Sequence, residues 1–315
     1  MRWLGFVASI ALGAVLVAAT VAWIDARAAG RTVAGGAITI SSGIATLLPA
    51  DAPLPSAFTA LGHPSWSLLD ATIGRIEAES DDPLGVAVVE LGGEAPSSWS
   101  YNGAAAFNAA STYKLVALMA EADRIGEGTS PASDRVCFQD ADYEDGWFDD
   151  YAVGDCFTRQ DLGYRAGIYS DNTAGHMLVR DVGGATALNA FAADNGAQGS
   201  ELYRDPNTTT PNDLATLLAA EARGQLGGTA AQAWLYPLLT RTHYEDGIPG
   251  GVPSSVTVVH KTGQIDSFYN DAGLVLGGKS GAYALVIMSN DLSGTGSWER
   301  LAEISAAVWT YEQTR

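Results

Sequence analysis

FNAASTYKLVALMAEA, residues 107–122, reads as the start of a helix lined with Ala, Leu, Val and Met, yet it carries Ser111 and Lys114 three residues apart. At that spacing the two side chains share one helix face, so the amine reaches the hydroxyl. Of the 17 basic residues in the chain, three are lysines, Lys114, Lys261 and Lys279, and the other 14 are arginines. Lysine loses its proton when buried and arginine does not. Were lysine present only for surface charge, arginine would serve, as it does elsewhere in this chain. A serine hydroxyl is a weak nucleophile until a base takes its proton. A lysine becomes that base when its pKa falls, which apolar walls and a second cation both bring about. Ala109, Ala110, Leu115 and Val116 offer walls, and Lys261, if close, offers the cation. The helix start also sets Ser111 near unpaired backbone N–H groups and the positive end of the dipole. Taken alone, the pair reads equally as a capped helix start with a surface lysine.

Two further groups have chemical potential. YSDNT, Tyr169 to Thr173, lies between helical runs. There Ser170 can pass a proton, and Asn172 can hold an amide through both its donor and its acceptor. Alone, Ser-Asp-Asn is also common loop and cap chemistry. HKTG, His260 to Gly263, ends the strand-like run SVTVVHK, 255–261. An ammonium on a strand edge can hold a substrate carboxylate, and the small Thr262-Gly263 pair lets a substrate lie along the strand. The plain alternative is a lysine ending a strand beside a turn glycine.

Around these groups the chain shows a simple order. SLLDATIGRIEAES, 67–80 by its helical spacing, is followed by LGVAVVEL (84–91) and SSWSYNG (97–103), a hairpin around GGEAP. The middle, 111 to about 245, reads as mostly helix, with Thr210 as N-cap and Pro211 at the first helical position of one segment. Strand-like runs follow at 255–261, 268–276 and 282–289, then an amphipathic helix over 298–313. This pattern predicts an α+β fold: an antiparallel sheet built from both chain ends, flanked by helices, with an all-α lobe inserted at about 111–245.

Bulk properties bound the partners. A formal charge of −19 argues against nucleic acid and against an anionic membrane surface. Residues 3–24 carry no charge; as a helix they would reach about 33 Å, enough to span a bilayer core. Ala26-Arg27-Ala28 offers an A-x-A cleavage site, so the run is an uncleaved anchor or a cleaved signal, its length favouring the anchor. Either way the remainder is exported: a linker over 25–64 and a domain over 65–315, read as a monomer. In an exported chain Cys137 and Cys156, 19 residues apart, are expected to pair; such a bridge stabilises by about 3 kcal/mol in the chain-entropy view.

S-x-x-K at Ser111–Lys114, S-D-N 59 residues on and K-T-G 91 further resemble, in that order, the penicillin-recognising serine enzymes, most closely the class A β-lactamases. The resemblance covers about 66–313 and extends to WSYNGAAAFNAASTYK, SDNTAGHMLVRDVGGATALNAF, TTTPNDLA and IPGGVP. It implies that Ser111 attacks the carbonyl and becomes acylated, with Lys114 activating it. Ser170 would shuttle a proton to the leaving nitrogen, and Asn172 would bind the acyl side chain. Lys261 and Thr262, with Gly263 beside them, would bind the substrate carboxylate, and the N–H groups of Ser111 and Gln264 would form the oxyanion hole. It implies no cofactor. One departure stands out: the family carries, before the TTTP stretch, a Glu that activates the deacylating water. Here that segment reads NGAQGSELYRDPNTTTP, with Glu201 and Asp205 as its carboxylates and neither in a matching context.

Other features carry less. The acidic stretch QDADYEDGWFDDY, 139–151, misses the EF-hand pattern and reads as a solvated loop; by the resemblance it lies near the site entrance, with Tyr143 or Trp147 as a wall. His63, His176, His243 and His260 show no metal spacing, and no G-x-S-x-G elbow is present. Three functions remain in play. The first is β-lactam hydrolysis. The second is the same acyl chemistry on a cell-wall peptide or ester, with slow β-lactam turnover. The third is a non-catalytic wall-binding module, against which the intact motifs speak.

Overall fold

The computed structural model describes residues 64–80, 82–290 and 297–314. The apolar run 3–24 and all but the end of the 25–64 linker lie outside the described residues. Among the described residues, no helix is long and apolar enough to cross a membrane.

The chain opens with α1 (Pro64–Ser80), whose Trp66, Leu69, Ile73 and Ile76 recur at helical spacing and are buried. Strands β1 (Leu84–Glu90) and β2 (Ser98–Tyr101) pair antiparallel, as the hairpin reading requires. Then come β3 (Phe107–Asn108), a 3-10 turn (Ala110–Thr112) and α2 (Tyr113–Gly126). Short strands β4 (Arg135–Cys137) and β5 (Cys156–Thr158) pair with Cys137 opposite Cys156, and the two cysteines are bridged. Three helices follow, α3 (Arg159–Ile168), α4 (Asn172–Asp181) and α5 (Gly184–Asp194). Next, β6 (Thr208–Thr209) pairs with β3 and leads into α6 (Pro211–Ala222) and α7 (Gly228–Leu235). The chain closes with β7 (Val258–Ile265), β8 (Phe268–Val275), β9 (Tyr283–Asn290) and α8 (Ser297–Glu312).

The five long strands form one antiparallel sheet in the order β2-β1-β9-β8-β7, so the chain's two ends share a sheet and the helical lobe is inserted between them. Both faces of this sheet are covered. On one, α1 and α8 bury Ile73, Ile76, Leu301, Ile304 and Val308 against Val86, Val88, Leu285 and Ile287. Trp66 stacks on Tyr311 there at 4.3 Å between ring centroids. Each such side chain contributes about 1.5–3 kcal/mol on burial. On the other face α6 packs against β1, β8 and β9. Double coverage explains why β1 is buried at all seven positions and shows no polar alternation. Helix α6 starts as read: the Thr210 side chain accepts the Asp213 N–H at 3.1 Å, with Pro211 at the first helical position.

Three details differ from the sequence reading. The stretch 107–122 does not start as a helix: Phe107 and Asn108 pair with β6, Ala110–Thr112 form the 3-10 turn, and α2 begins at Tyr113. The lobe is helical but also holds the β3–β6 and β4–β5 ladders. Strand β7 does not end at Lys261: its ladder with β8 runs on through Thr262↔Asp271 and Gly263↔Asn270 to Ile265↔Phe268. Phe268 to Asp271 supply partners that a local reading of 255–261 does not see.

Candidate active site

Ser111 lies in the 3-10 turn between β3 and α2, and that turn is tied on every side. Asn108 Oδ1 accepts the Ala110 N–H at 2.8 Å. Asn270 Nδ2, from β8, donates to the Asn108 carbonyl at 2.8 Å. Asn207 Nδ2 donates to the Ala110 carbonyl at 3.1 Å. These ties hold Ala110 at φ 45°, left-handed for a residue with a Cβ, a strain on the order of 1–3 kcal/mol stored beside the nucleophile.

Lys114 follows as the second residue of α2, a helix whose first ten residues are all buried. Its amine is fully buried, 3.2 Å from Ser111 Oγ, and donates at 2.6 Å to the Ser170 carbonyl and at 2.6 Å to Asn172 Oδ1. Burial lowers its pKa to about 8, against the opposing charges of Asp171 and Glu144. A neutral amine has two N–H donors and one lone pair. The two short bonds use both donors, which leaves the lone pair for the Ser111 hydroxyl. Gly175 makes room for this side chain: a Cβ there would lie 2.8 Å from Lys114 Cε.

Ser170, itself left-handed at φ 60°, links the two buried lysines. Lys261 Nζ, from β7, donates to Ser170 Oγ at 2.9 Å and to the Thr262 carbonyl at 2.8 Å. Burial, then the charge of Lys114, lowers Lys261 well below the usual lysine value. The sequence reading has Lys261 lowering Lys114; the two amines are both buried at the site, but burial alone lowers Lys114, and the charge of Lys114 bears on Lys261. Behind Lys261, burial would depress His260, but Asp271 and Glu245 outweigh it and raise the imidazole to about 9.

Gln264 sits four residues beyond His260 on the edge strand. The His260 N–H leaves the sheet to reach the Leu239 carbonyl at 2.8 Å; strand alternation aims the Gln264 N–H to the same outer side. Gly263 lets the nucleophile's turn press onto β7, since a Cβ would lie 2.9 Å from the Ala109 carbonyl. Ser111, Ser170, Asn172, Thr262 and Gln264 thus line one cleft of about 350 Å³, with Lys114 and Lys261 buried beneath.

Sequence reasoning missed several contributors. Asp171, the middle residue of S-D-N, is fully buried. It caps α4 through the Ala174 N–H and accepts from the Trp147 and Phe148 N–H groups and the Tyr151 hydroxyl, at 2.7–3.2 Å. This carboxylate folds the acidic stretch over the site, and Gly146 permits it: a Cβ there would lie 2.7 Å from Asp171 Oδ2. Trp147 forms the wall the resemblance suggested, stacked edge-on with His243 at 4.3 Å, whereas Tyr143 is exposed and does not line the cleft. Asp145, Gly146, Tyr244 and Trp298 complete the lining, and no local pattern marks them. The one visible signal was Gly175, a glycine inside a helix, where it costs about 1 kcal/mol against Ala. Neither Glu201 nor Asp205 lines the cleft; Glu201 instead pairs with Arg204 at 3.2 Å.

Comparison with known proteins agrees with this fold. A PBP-A mutant captured as an acyl-enzyme complex with penicillin G superposes with a TM-score of 0.72 at 24% identity, covering 79% of this chain and 97% of that one. A β-lactamase from Sphaerobacter thermophilus DSM 20745 gives 0.70 at 24% identity, covering 79% and 98%. An ancestral class A β-lactamase (GNCA) gives 0.66 at 25% identity, covering 76% and 98%. The sequence pattern of the β-lactamase enzyme family (Beta-lactamase2) matches residues 68–311. The chain belongs to the β-lactamase enzyme family and is a serine hydrolase of that type.

Proposed function

We propose that the protein forms an acyl-enzyme through Ser111 with β-lactams and hydrolyses it. The observation that carries this is the Lys114 amine, buried, tied by two 2.6 Å bonds and turned to Ser111 Oγ. In the neutral form it takes the serine proton as Oγ bonds to the carbonyl carbon. The N–H groups of Ser111 and Gln264 receive the developing oxyanion. The amide C–N bond then breaks as Ser170, held by Lys261, hands its proton to the leaving nitrogen and regains one from Lys114, which returns to the neutral amine. Lys261 and Thr262 hold the substrate's carboxylate, and Asn172 its acyl-side amide. A second reading, the same acylation on a cell-wall peptide or ester with slow β-lactam turnover, is favoured by the absence of Glu201 and Asp205 from the cleft. Export, whether by a retained anchor or a cleaved signal, is supported by the uncharged run 3–24 and the Cys137–Cys156 bridge.

The test mixes the protein with a chromogenic cephalosporin and follows it by intact mass. The first reading predicts continuous colour with a transient adduct on Ser111, the second one lasting adduct. Ser111→Ala is expected to abolish both; an adduct that survives that change contradicts the assignment.

A further inference from the structure

Hydrolysis of a serine ester needs a base that strips a proton from water beside the acyl carbonyl, and the segment 195–208 places no carboxylate in the cleft. On the opposite side the acidic loop brings Asp145 to the cleft lining, and Glu144, next to it, is hydrogen-bonded to the catalytic network. Glu144, in the acidic loop, accepts from Asn172 Nδ2 at 2.9 Å through Oε1, and Asn172 Oδ1 in turn accepts from Lys114 Nζ at 2.6 Å. Its other oxygen lies 3.1 Å from His176 Nε2, and the His176 ring packs against Tyr203. Burial dominates the pKa values of Lys114, Tyr113 and Tyr203, but the charge of Glu144 is felt by all three. The carboxylate therefore lies among side chains from α2, α4 and the 195–208 segment.

Its backbone is fixed rather than loose. The Thr173 hydroxyl donates to the Glu144 carbonyl at 2.8 Å and accepts its N–H at 3.0 Å. Just beyond, the Asp145 carbonyl accepts from Asn172 Nδ2 at 3.0 Å. The Glu144 side chain is still 54% exposed, so water has access to it. A group locked in position, wired to the nucleophile's lysine and open to water suits a general base.

We propose that Glu144 is the carboxylate that activates the deacylating water. The inference rests on the acyl-enzyme reading above. In the step, the water oxygen bonds to the acyl carbon while its proton passes to a Glu144 oxygen. The bond from that carbon to Ser111 Oγ then breaks, Oγ takes up a proton drawn from solvent through Lys114, and Glu144 releases the water's proton to solvent. The product leaves as a free acid.

The experiment measures acylation and deacylation of the full chain separately, with penicillin G as the probe and intact mass as the readout. Glu144→Gln keeps an oxygen to accept from Asn172, so the loop stays in place. The expected result is an acylation rate within about threefold of the parent and a deacylation rate at least about 100-fold lower, leaving a persistent Ser111 adduct. Glu201→Gln and Asp205→Asn are expected to change neither rate. A Glu144→Gln protein that deacylates like the parent overturns the proposal, as does a parent protein that itself stays acylated. Failure of the parent to acylate at all refutes the acyl-enzyme reading, and this inference with it. A merely structural role would lower both rates together, and that result also overturns it.

Discussion

Two clusters of buried charge lie a few turns apart and are built in opposite ways. In the helical lobe, Arg124 and Arg159 meet Glu121 and Asp181 in ion pairs of 2.8–3.4 Å. Burial and the charge of Asp181 raise Glu121 to about 8, while the Glu121 hydrogen bond and Arg159 outweigh burial and hold Asp181 below the usual carboxylate range. In the site, Lys114 and Lys261 are equally buried, yet among the described residues neither forms an ion pair; carbonyl, amide and hydroxyl oxygens take their hydrogens. The two arginines hold a fixed positive charge against Asp181 that staples α2, α3 and α4, while Glu121, raised to about 8, keeps its proton at neutral pH. Lysine with neutral acceptors gives a charge that can be lost. The division follows residue chemistry, since a guanidinium holds its proton in proteins and an amine does not. It also explains why a chain with 14 arginines keeps lysines at these two positions.

The sharpest way to break the contrast is to move an arginine into the site. Lys114→Arg retains the positive charge and removes the lone pair, so the acylation rate of Ser111 by penicillin G is expected to fall by at least about a thousandfold. Rate-resolved intact mass checks it, with circular dichroism confirming the fold. The converse change, Arg159→Met, leaves Glu121 and Asp181 short of a partner and is expected to cost about 3–5 kcal/mol of stability, read by urea unfolding. The protein that remains folded should acylate at the parent rate. Equal loss of activity in the folded fraction would erase the distinction between the clusters.

Much of this was legible in the sequence, for reasons that differ from place to place. The sheet strands showed because Val86–Val89 and Ala284–Met288 are apolar runs covered on both faces. The nucleophile and its base showed because they are three residues apart, one in the 3-10 turn and one in the first turn of α2. Lys261 was found by its motif, but its strand was cut short because the partners of Thr262 and Gly263 lie beyond a turn in β8. The acidic loop was opaque for a different reason. Its position depends on one buried carboxylate, Asp171, gathering loop donors from 20 to 24 residues away. Asp and Glu look alike in a string whether they face solvent or a site, so Glu144 was indistinguishable from its neighbours. Trp298 reaches the cleft from α8, the last helix of the chain, a placement that only the assembled fold creates.

The central claim is that Lys114 acts as a neutral amine. The most direct measurement is the acylation rate of Ser111 by penicillin G as a function of pH. With the lysine lowered to about 8, the reactive unprotonated form grows as pH rises, so the rate should climb about tenfold per pH unit below that value and level off above it. His260 sets the upper edge of the usable range. Its pKa is raised on folding, so its stabilising contribution is full below the unfolded value of about 6.5 and is lost as pH rises through about 9. A rate that rises through about pH 8 to a plateau is the predicted result. A rate flat across that range in folded protein would contradict the account.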